Sequence, residues 1–84
     1  MKIAFVAGSA GFIGGHLVRK LQEKGYFVVG ADIQEEKYCK SDCFFDYDLR
    51  FSDNVQQIFK QFEFDEVYIL ACIDRDWETK YPFS

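Results

Sequence analysis

The sequence predicts an α/β chain built on a four-stranded parallel sheet with two helices, and three observations carry that prediction. Short, nearly continuous apolar runs alternate with segments of helical period, which is the order of a parallel sheet whose strands are buried on both faces. The first run, Ile3-Ala4-Phe5-Val6-Ala7, passes straight into Gly8-Ser9-Ala10-Gly11-Phe12-Ile13-Gly14. The second run closes on an acid, Asp32.

Taken in order, Lys2–Ala7 is the first strand. From Phe12 to Lys24 the period turns helical: Ile13, Leu17 and Leu21 recur every four residues and Val18 widens the stripe, as on a helix with one buried face. Gly25 stands where a helix C-terminus favours it. Tyr26–Asp32 is the second strand. Gln34–Asp42 is polar and without clear period; it reads as a loop or short irregular crossover, with too few residues for a full crossover helix. Cys43–Tyr47 is the third strand, followed by Asp48-Leu49-Arg50. Ser52 or Asp53 is then expected to cap a second helix, in which Val55, Ile58, Phe59 and Phe62 fall at i, i+3, i+4 and i+7. Glu66–Ala71 is the fourth strand, and right-handed crossovers are expected throughout. The stretch from Cys72 to Ser84 has neither period and contains Pro82, so it reads as an extended, irregular tail.

Composition limits the functions available. At 84 residues the chain holds at most one small domain, of marginal stability. Ten phenylalanines and five tyrosines are more apolar surface than so short a chain easily covers. A net charge of −4 argues against nucleic acid as a partner, because phosphate binding needs clustered Lys and Arg. No apolar run approaches the roughly 20 residues of a membrane span, and Met1-Lys2-Ile3 opens a strand rather than a signal peptide. A cytoplasmic location is expected. Cys39, Cys43 and Cys72 form no CxxC pair and His16 stands alone, which does not make a zinc set. Free reduced thiols are expected.

The glycine run carries the chemistry. A strand that turns through close glycines into a helix lets a dinucleotide pyrophosphate approach the backbone, with the anion on open N–H groups at the positive helix end. Asp32 lies 18 residues beyond Gly14, near the offset of an acid that binds the ribose 2′-hydroxyl. Such a carboxylate repels a 2′-phosphate, so NAD is favoured over NADP. No arginine stands between Gly8 and Gly14 or just after Asp32 to reverse this. The alternatives are a plain tight turn for the glycines, a cap or solvated loop acid for Asp32, and a cap of the second helix for Asp48. The fold class that follows is a partial Rossmann fold, a parallel sheet of order 3-2-1-4 with two helices. Gly8, Gly11 and Gly14 are spaced GxxGxxG, and no GxxxxGK is present, which excludes a nucleoside-triphosphate loop.

With this spacing, Gly8-Ser9-Ala10-Gly11-Phe12-Ile13-Gly14-Gly15-His16-Leu17 closely resembles the N-terminus of the extended short-chain dehydrogenase/reductase family, the NAD-dependent nucleotide-sugar epimerases and dehydratases. Residues 1–71 are identified as the N-terminal half of such an NAD-binding Rossmann domain. Asp42–Arg50 and the hydrophobic helix after it are most similar to GDP-mannose 3,5-epimerases. The resemblance implies that Gly8 and Gly11 admit the pyrophosphate, with Gly14 in the same signature, and that the amides of Phe12 and Ile13 meet it. It further implies that Asp32 binds the adenosine ribose and that Asp48 accepts from the adenine amino group beside the Leu49 amide. Leu70 and Ala71 would line the cofactor between adenosine and nicotinamide. His16 receives no catalytic role.

The family's reaction is transient hydride transfer to NAD assisted by a Tyr-x-x-x-Lys pair. Four residues after Tyr26, Tyr38, Tyr47 and Tyr68 stand Gly30, Asp42, Phe51 and Cys72, and Tyr81 lies three residues from the end. The pair is absent, and no residue is assigned a catalytic role. The expected protein is therefore the cofactor-binding portion of an epimerase or dehydratase, truncated and inactive alone, with a nucleotide sugar as substrate only if a missing domain completes it. The rivals are a non-enzymatic nucleotide-binding or interaction module and one piece of a split enzyme. From Ile73 onward the resemblance ends, as a frameshift, premature stop or internal deletion would produce. An exposed sheet edge at Val67–Leu70 would favour self-association.

Overall fold

The computed structural model describes residues 1–70. The elements are β1 (Ile3–Ala7), α1 (Phe12–Glu23), β2 (Phe27–Asp32), β3 (Cys43–Asp46), α2 (Ser52–Gln61) and β4 (Glu66–Ile69). The strands form one sheet in the order β3-β2-β1-β4, and every pair is parallel. This is the expected 3-2-1-4 order. The strands begin or end a residue or two inside their sequence limits, as element ends commonly do. Ala71 and the tail 72–84 lie outside the described residues.

Parallel pairing aligns the carboxyl ends of the strands. Ala7 of β1 stands opposite Ala31 of β2 and Ile69 of β4, and Asp32 stands opposite Asp46 of β3. Alternate residues then face opposite layers. Phe5, Ala7, Val29 and Ala31 pack with Leu49, Val55 and Ile58 on the α2 side, and Ala4, Val6 and Val28 pack with Val18 and Leu21 on the α1 side. The phenylalanines enlarge the first layer. Phe5 meets Phe59 and Phe64 at ring separations of 5.6 and 5.1 Å, and Phe62 joins Phe27, Phe45 and Phe64. Much of the aromatic surface is thus covered within the chain.

Two local expectations are corrected. Neither Ser52 nor Asp53 caps α2; the N-cap is Phe51, in extended conformation and without a side-chain cap. The helix starts instead from a turn in which the Phe51 amide donates to the Asp48 carbonyl at 3.3 Å and the Asn54 side chain donates to the same oxygen at 3.0 Å. That turn starts the helix at least one residue earlier than expected, so Ser52 already falls inside it. The second correction concerns Ile13, which is 69% exposed instead of lying in the buried stripe of α1. The inward positions are Gly14, Gly15, Val18 and Leu21. The first turn of α1 presses so closely on the glycine turn that glycine replaces the branched side chain there, and Ile13 rotates to the open end. The C-terminus of α1 ends as Gly25 suggests: at φ +87°, its amide donates to Gln22 and that of Tyr26 to Leu21, the paired bonds of a Schellman cap.

The crossover between β2 and β3 has no helix but is well tied down. The Asp42 carboxylate accepts from the Val28 amide at 2.8 Å, and the Gln22 side chain donates to the Lys40 carbonyl at 2.9 Å. Cys39 and Cys43 are free thiols, and burial pushes that of Cys43 up. Among the described residues no helix is long and apolar enough to cross a membrane.

At the amino ends of the strands, the hydroxyls of Tyr26 and Tyr68 both donate to the carboxylate of Glu66. The bond to Glu66 and partial desolvation push the Tyr26 phenol up to about 12. A phenol whose folded pKa exceeds its unfolded value of about 10 adds stability that is present below that value and lost as pH rises toward 12. Tyrosinate absorbance should show one phenol ionising near 12, and Tyr26→Phe should remove it and flatten the alkaline loss of stability in that window.

Candidate functional site

A crevice of about 380 Å³ opens at the carboxyl ends of β1, β2 and β3, lined by Gly11, Asp32, Ile33, Gln34, Tyr47, Asp48, Leu49 and Arg50. This is where open α/β sheets bind ligands. Of the three glycines in the turn, two are fixed by conformation or packing and the third lines the crevice. Gly8 has φ +95°, a conformation that L side chains rarely adopt. Gly14 leaves no room: a Cβ there would lie 2.0 Å from the Gly8 carbonyl oxygen. Gly11 has neither constraint, since a Cβ would sit 3.6 Å from that same oxygen, in ordinary contact. Gly11 is also the N-cap of α1 and carries no side-chain cap. The first amides of the helix, those of Phe12 and Ile13, are therefore left without a helical acceptor.

Asp32 fastens this turn to the sheet. Its Oδ2 accepts from the Ala10 amide and its Oδ1 from the Gln34 amide, each at 3.1 Å. The Gly8 amide donates to the Ala31 carbonyl at 2.8 Å. A carboxylate offers about four acceptor positions, so Asp32 can serve the loop and still face a diol. At the crevice's other wall, the Asp48 carboxylate takes the Arg50 guanidinium, with Nη2 to Oδ2 at 2.8 Å and Nε to Oδ1 at 3.1 Å, and the Arg50 amide at 3.0 Å. These bonds hold the Asp48 carboxyl below the usual carboxylate range.

The structure thus brings Gly11, Asp32, Asp48 and Leu49 to one crevice, with Gly8 and Gly14 shaping the turn behind it. The Leu49 side chain is buried among the core residues. Phe12 and Ile13 stand exposed at the helix start, and Leu70, 46% exposed, lies outside the crevice lining with its amide on the Ala7 carbonyl. Ala71 lies outside the described residues. His16 is exposed, with its ring against Phe12 at 4.5 Å.

Sequence reasoning missed Ile33, Gln34, Tyr47 and Arg50. Arg50 could have been found from its two-residue spacing to Asp48, and Ile33 from being a large apolar residue directly after a strand. Arg50 also qualifies the argument about cofactor preference, since it places a guanidinium at the crevice from a segment remote from Asp32 in sequence.

A parallel 3-2-1-4 sheet whose glycine turn joins β1 to α1 is the first half of a Rossmann fold. The chain belongs to the NAD dependent epimerase/dehydratase family, whose model matches residues 4–83. That match continues past Ala71, where the sequence resemblance was expected to stop. Among curated proteins the chain is similar to GDP-mannose 3,5-epimerase 1 of Oryza sativa subsp. indica, 30% identical over an aligned length of 71 residues, with 80% of this chain and 18% of the relative covered. It is also similar to Protein CapI of Staphylococcus aureus, 46% identical over 41 residues, 49% of this chain and 12% of the relative. Among solved structures it resembles the UDP-glucose 4-epimerase of Thermotoga maritima, determined with UDP-glucose, at TM-score 0.74 and 31% identity over 83% of this chain and 24% of that one. The chain therefore spans less than a fifth of these curated relatives.

Proposed function

We propose that this chain forms the adenosine- and pyrophosphate-binding half of the NAD site of a nucleotide-sugar epimerase or dehydratase. One observation carries the reading. Gly11 has no conformational or packing reason of its own to be glycine, yet it faces the crevice at the open start of α1. A close approach by a ligand supplies that reason. The amides of Phe12 and Ile13 would meet the pyrophosphate, Asp32 the adenosine ribose, and Asp48 with the Leu49 amide the adenine edge. Leu70 and Ala71 would flank the cofactor further along. NAD, when bound, supplies the hydride acceptor that this family's chemistry uses.

The 84 residues contain no Tyr-x-x-x-Lys pair. The chain alone is therefore expected to bind cofactor without turning over a nucleotide sugar. The same observation favours, as a second reading, a nucleotide-binding module without catalysis. Addition of a polypeptide carrying the pair separates the two, since turnover appears only for the first.

Calorimetric titration with NAD, ADP and NADP tests the binding. The proposed contacts fall mainly on the adenosine diphosphate half, so ADP and NAD should bind within about threefold of each other, and NADP at least about tenfold more weakly. Equal binding of NADP, or no binding of ADP, would remove the reading.

A further inference from the structure

A second acid, one that no motif singles out, bears on the NAD site proposed above, and its role rests on that reading. Glu36 lies in the polar crossover, flanked by the exposed residues Glu35 and Lys37, yet is itself 7% exposed. A buried carboxylate needs hydrogen-bond donors. Glu36 finds them in one residue, with Ser41 donating its amide to Oε1 at 2.9 Å and its hydroxyl to Oε2 at 2.5 Å.

This closed loop rests on the sheet where β2 lacks a side chain. A Cβ on Gly30 would lie 2.1 Å from Ser41 Oγ, 2.7 Å from Glu36 Oε2 and 2.5 Å from Ser9 Oγ. Three oxygens from two segments therefore converge over one glycine. Two belong to the crossover, and the third belongs to the glycine turn itself. Ser9 is 1% exposed, and its hydroxyl has no hydrogen-bond partner among the described residues. Burying an unpaired hydroxyl is unfavourable, and the Glu36 carboxylate and the Ser41 hydroxyl stand over the same Gly30 position as the Ser9 hydroxyl.

We propose that the Ser9 hydroxyl turns to the Glu36 carboxylate, which makes Glu36 a positioning residue of the dinucleotide site: it would hold the glycine turn from behind through Ser9 while Asp32 holds it from the front through the Ala10 amide. The turn would then be gripped on consecutive residues by two acids. Its amides would be kept aimed at the pyrophosphate, whereas the adenosine wall, formed by Asp48 to Arg50, would not depend on Glu36. Loss of Glu36 should therefore weaken ligands that carry phosphates and spare those that do not.

The test compares ADP with adenosine on the full chain. Glu36→Ala should weaken ADP about tenfold and adenosine less than about twofold, and Ser9→Ala should weaken ADP in the parent but add nothing in the Glu36→Ala background. Glu36→Gln, which keeps an acceptor for the Ser41 amide, should recover part of the loss and serves as the test variant if the alanine variant fails to fold. Without any ligand, amide exchange at residues 8–11 should accelerate in Glu36→Gln while exchange in β4 stays unchanged. Equal loss for ADP and adenosine, independent effects of Ser9 and Glu36, or exchange that accelerates everywhere would each overturn the proposal. A parent chain that binds neither ligand overturns the NAD-site reading itself, whereas ADP binding unchanged in Glu36→Ala overturns only the role of Glu36.

Discussion

Gly14→Ala should melt far below the parent chain, while Gly11→Ala should melt within about 2 °C of it and lose cofactor binding. The two glycines look alike in sequence, and the structure gives them opposite reasons. An alanine Cβ at position 14 would lie 2.0 Å from the Gly8 oxygen, 2.9 Å from its carbonyl carbon and 3.0 Å from the Ser9 Cα. All three are backbone atoms, so no rotamer change relieves the clash, and α1 or the turn must move by about 1 Å. Overpacking of this kind costs about 1–3 kcal/mol and more where backbone resists. The helix propensity of alanine returns up to about 1 kcal/mol. With backbone resisting, a gross cost of about 3–4 kcal/mol leaves a net loss of about 2–3 kcal/mol, a large part of the stability of so small a domain, and a fall in Tm of roughly 10–20 °C. Gly11, with φ −74° and ψ 170°, accepts alanine without strain, and its added methyl meets ordinary contact. Its methyl instead occupies the space a phosphate would use. Circular dichroism melts paired with an ADP titration check both halves. A Gly14→Ala chain as stable as the parent would show that the turn is not packed as described.

The strands, the helices and their order were legible because burial on both faces imposes continuous apolar runs on β1 and β2, and the Gly25 cap announces its turn. What escaped was set by contacts between distant segments. Ile13 fits the helical period yet is exposed, because the period cannot register that Gly8 presses on the first turn of α1. The cap of α2 was misassigned because the Asp48 carbonyl, and not a side chain, organises its start. The glycines and Asp32 were visible as a motif. Arg50 and Glu36 were not, because each owes its place to a partner, Asp48 in one case and Ser41 in the other. In this chain the sequence pattern marks the glycines and Asp32, and the folded structure shows the contacts that tie them together.

Asp32→Ala should remove ribose selectivity and weaken ADP binding by about 30- to 100-fold. On the proposed reading, Asp32 would join two tasks that simple motif matching assigns to one contact. Its oxygens already accept the Ala10 and Gln34 amides, so alanine frees the front of the glycine turn as well as deleting the acceptor for the diol. A hydrogen bond to a charged group is worth about 1.5–3 kcal/mol, which alone accounts for roughly a 10- to 100-fold change. The two tasks separate with 2′-deoxy-ADP. The parent should prefer ADP over the deoxy ligand, and Asp32→Ala should bind the two alike, since no carboxylate remains to read the 2′-hydroxyl. Asp32→Asn is the informative intermediate, because its amide keeps one oxygen for either Ala10 or Gln34 and cannot accept at both. It should retain part of the ADP affinity while losing most of the preference for the hydroxyl. If Asp32→Ala instead kept the full preference for ADP, the carboxylate would be a clamp of the turn and nothing more. Recognition of the ribose would then have to come from the backbone on the other side of the crevice.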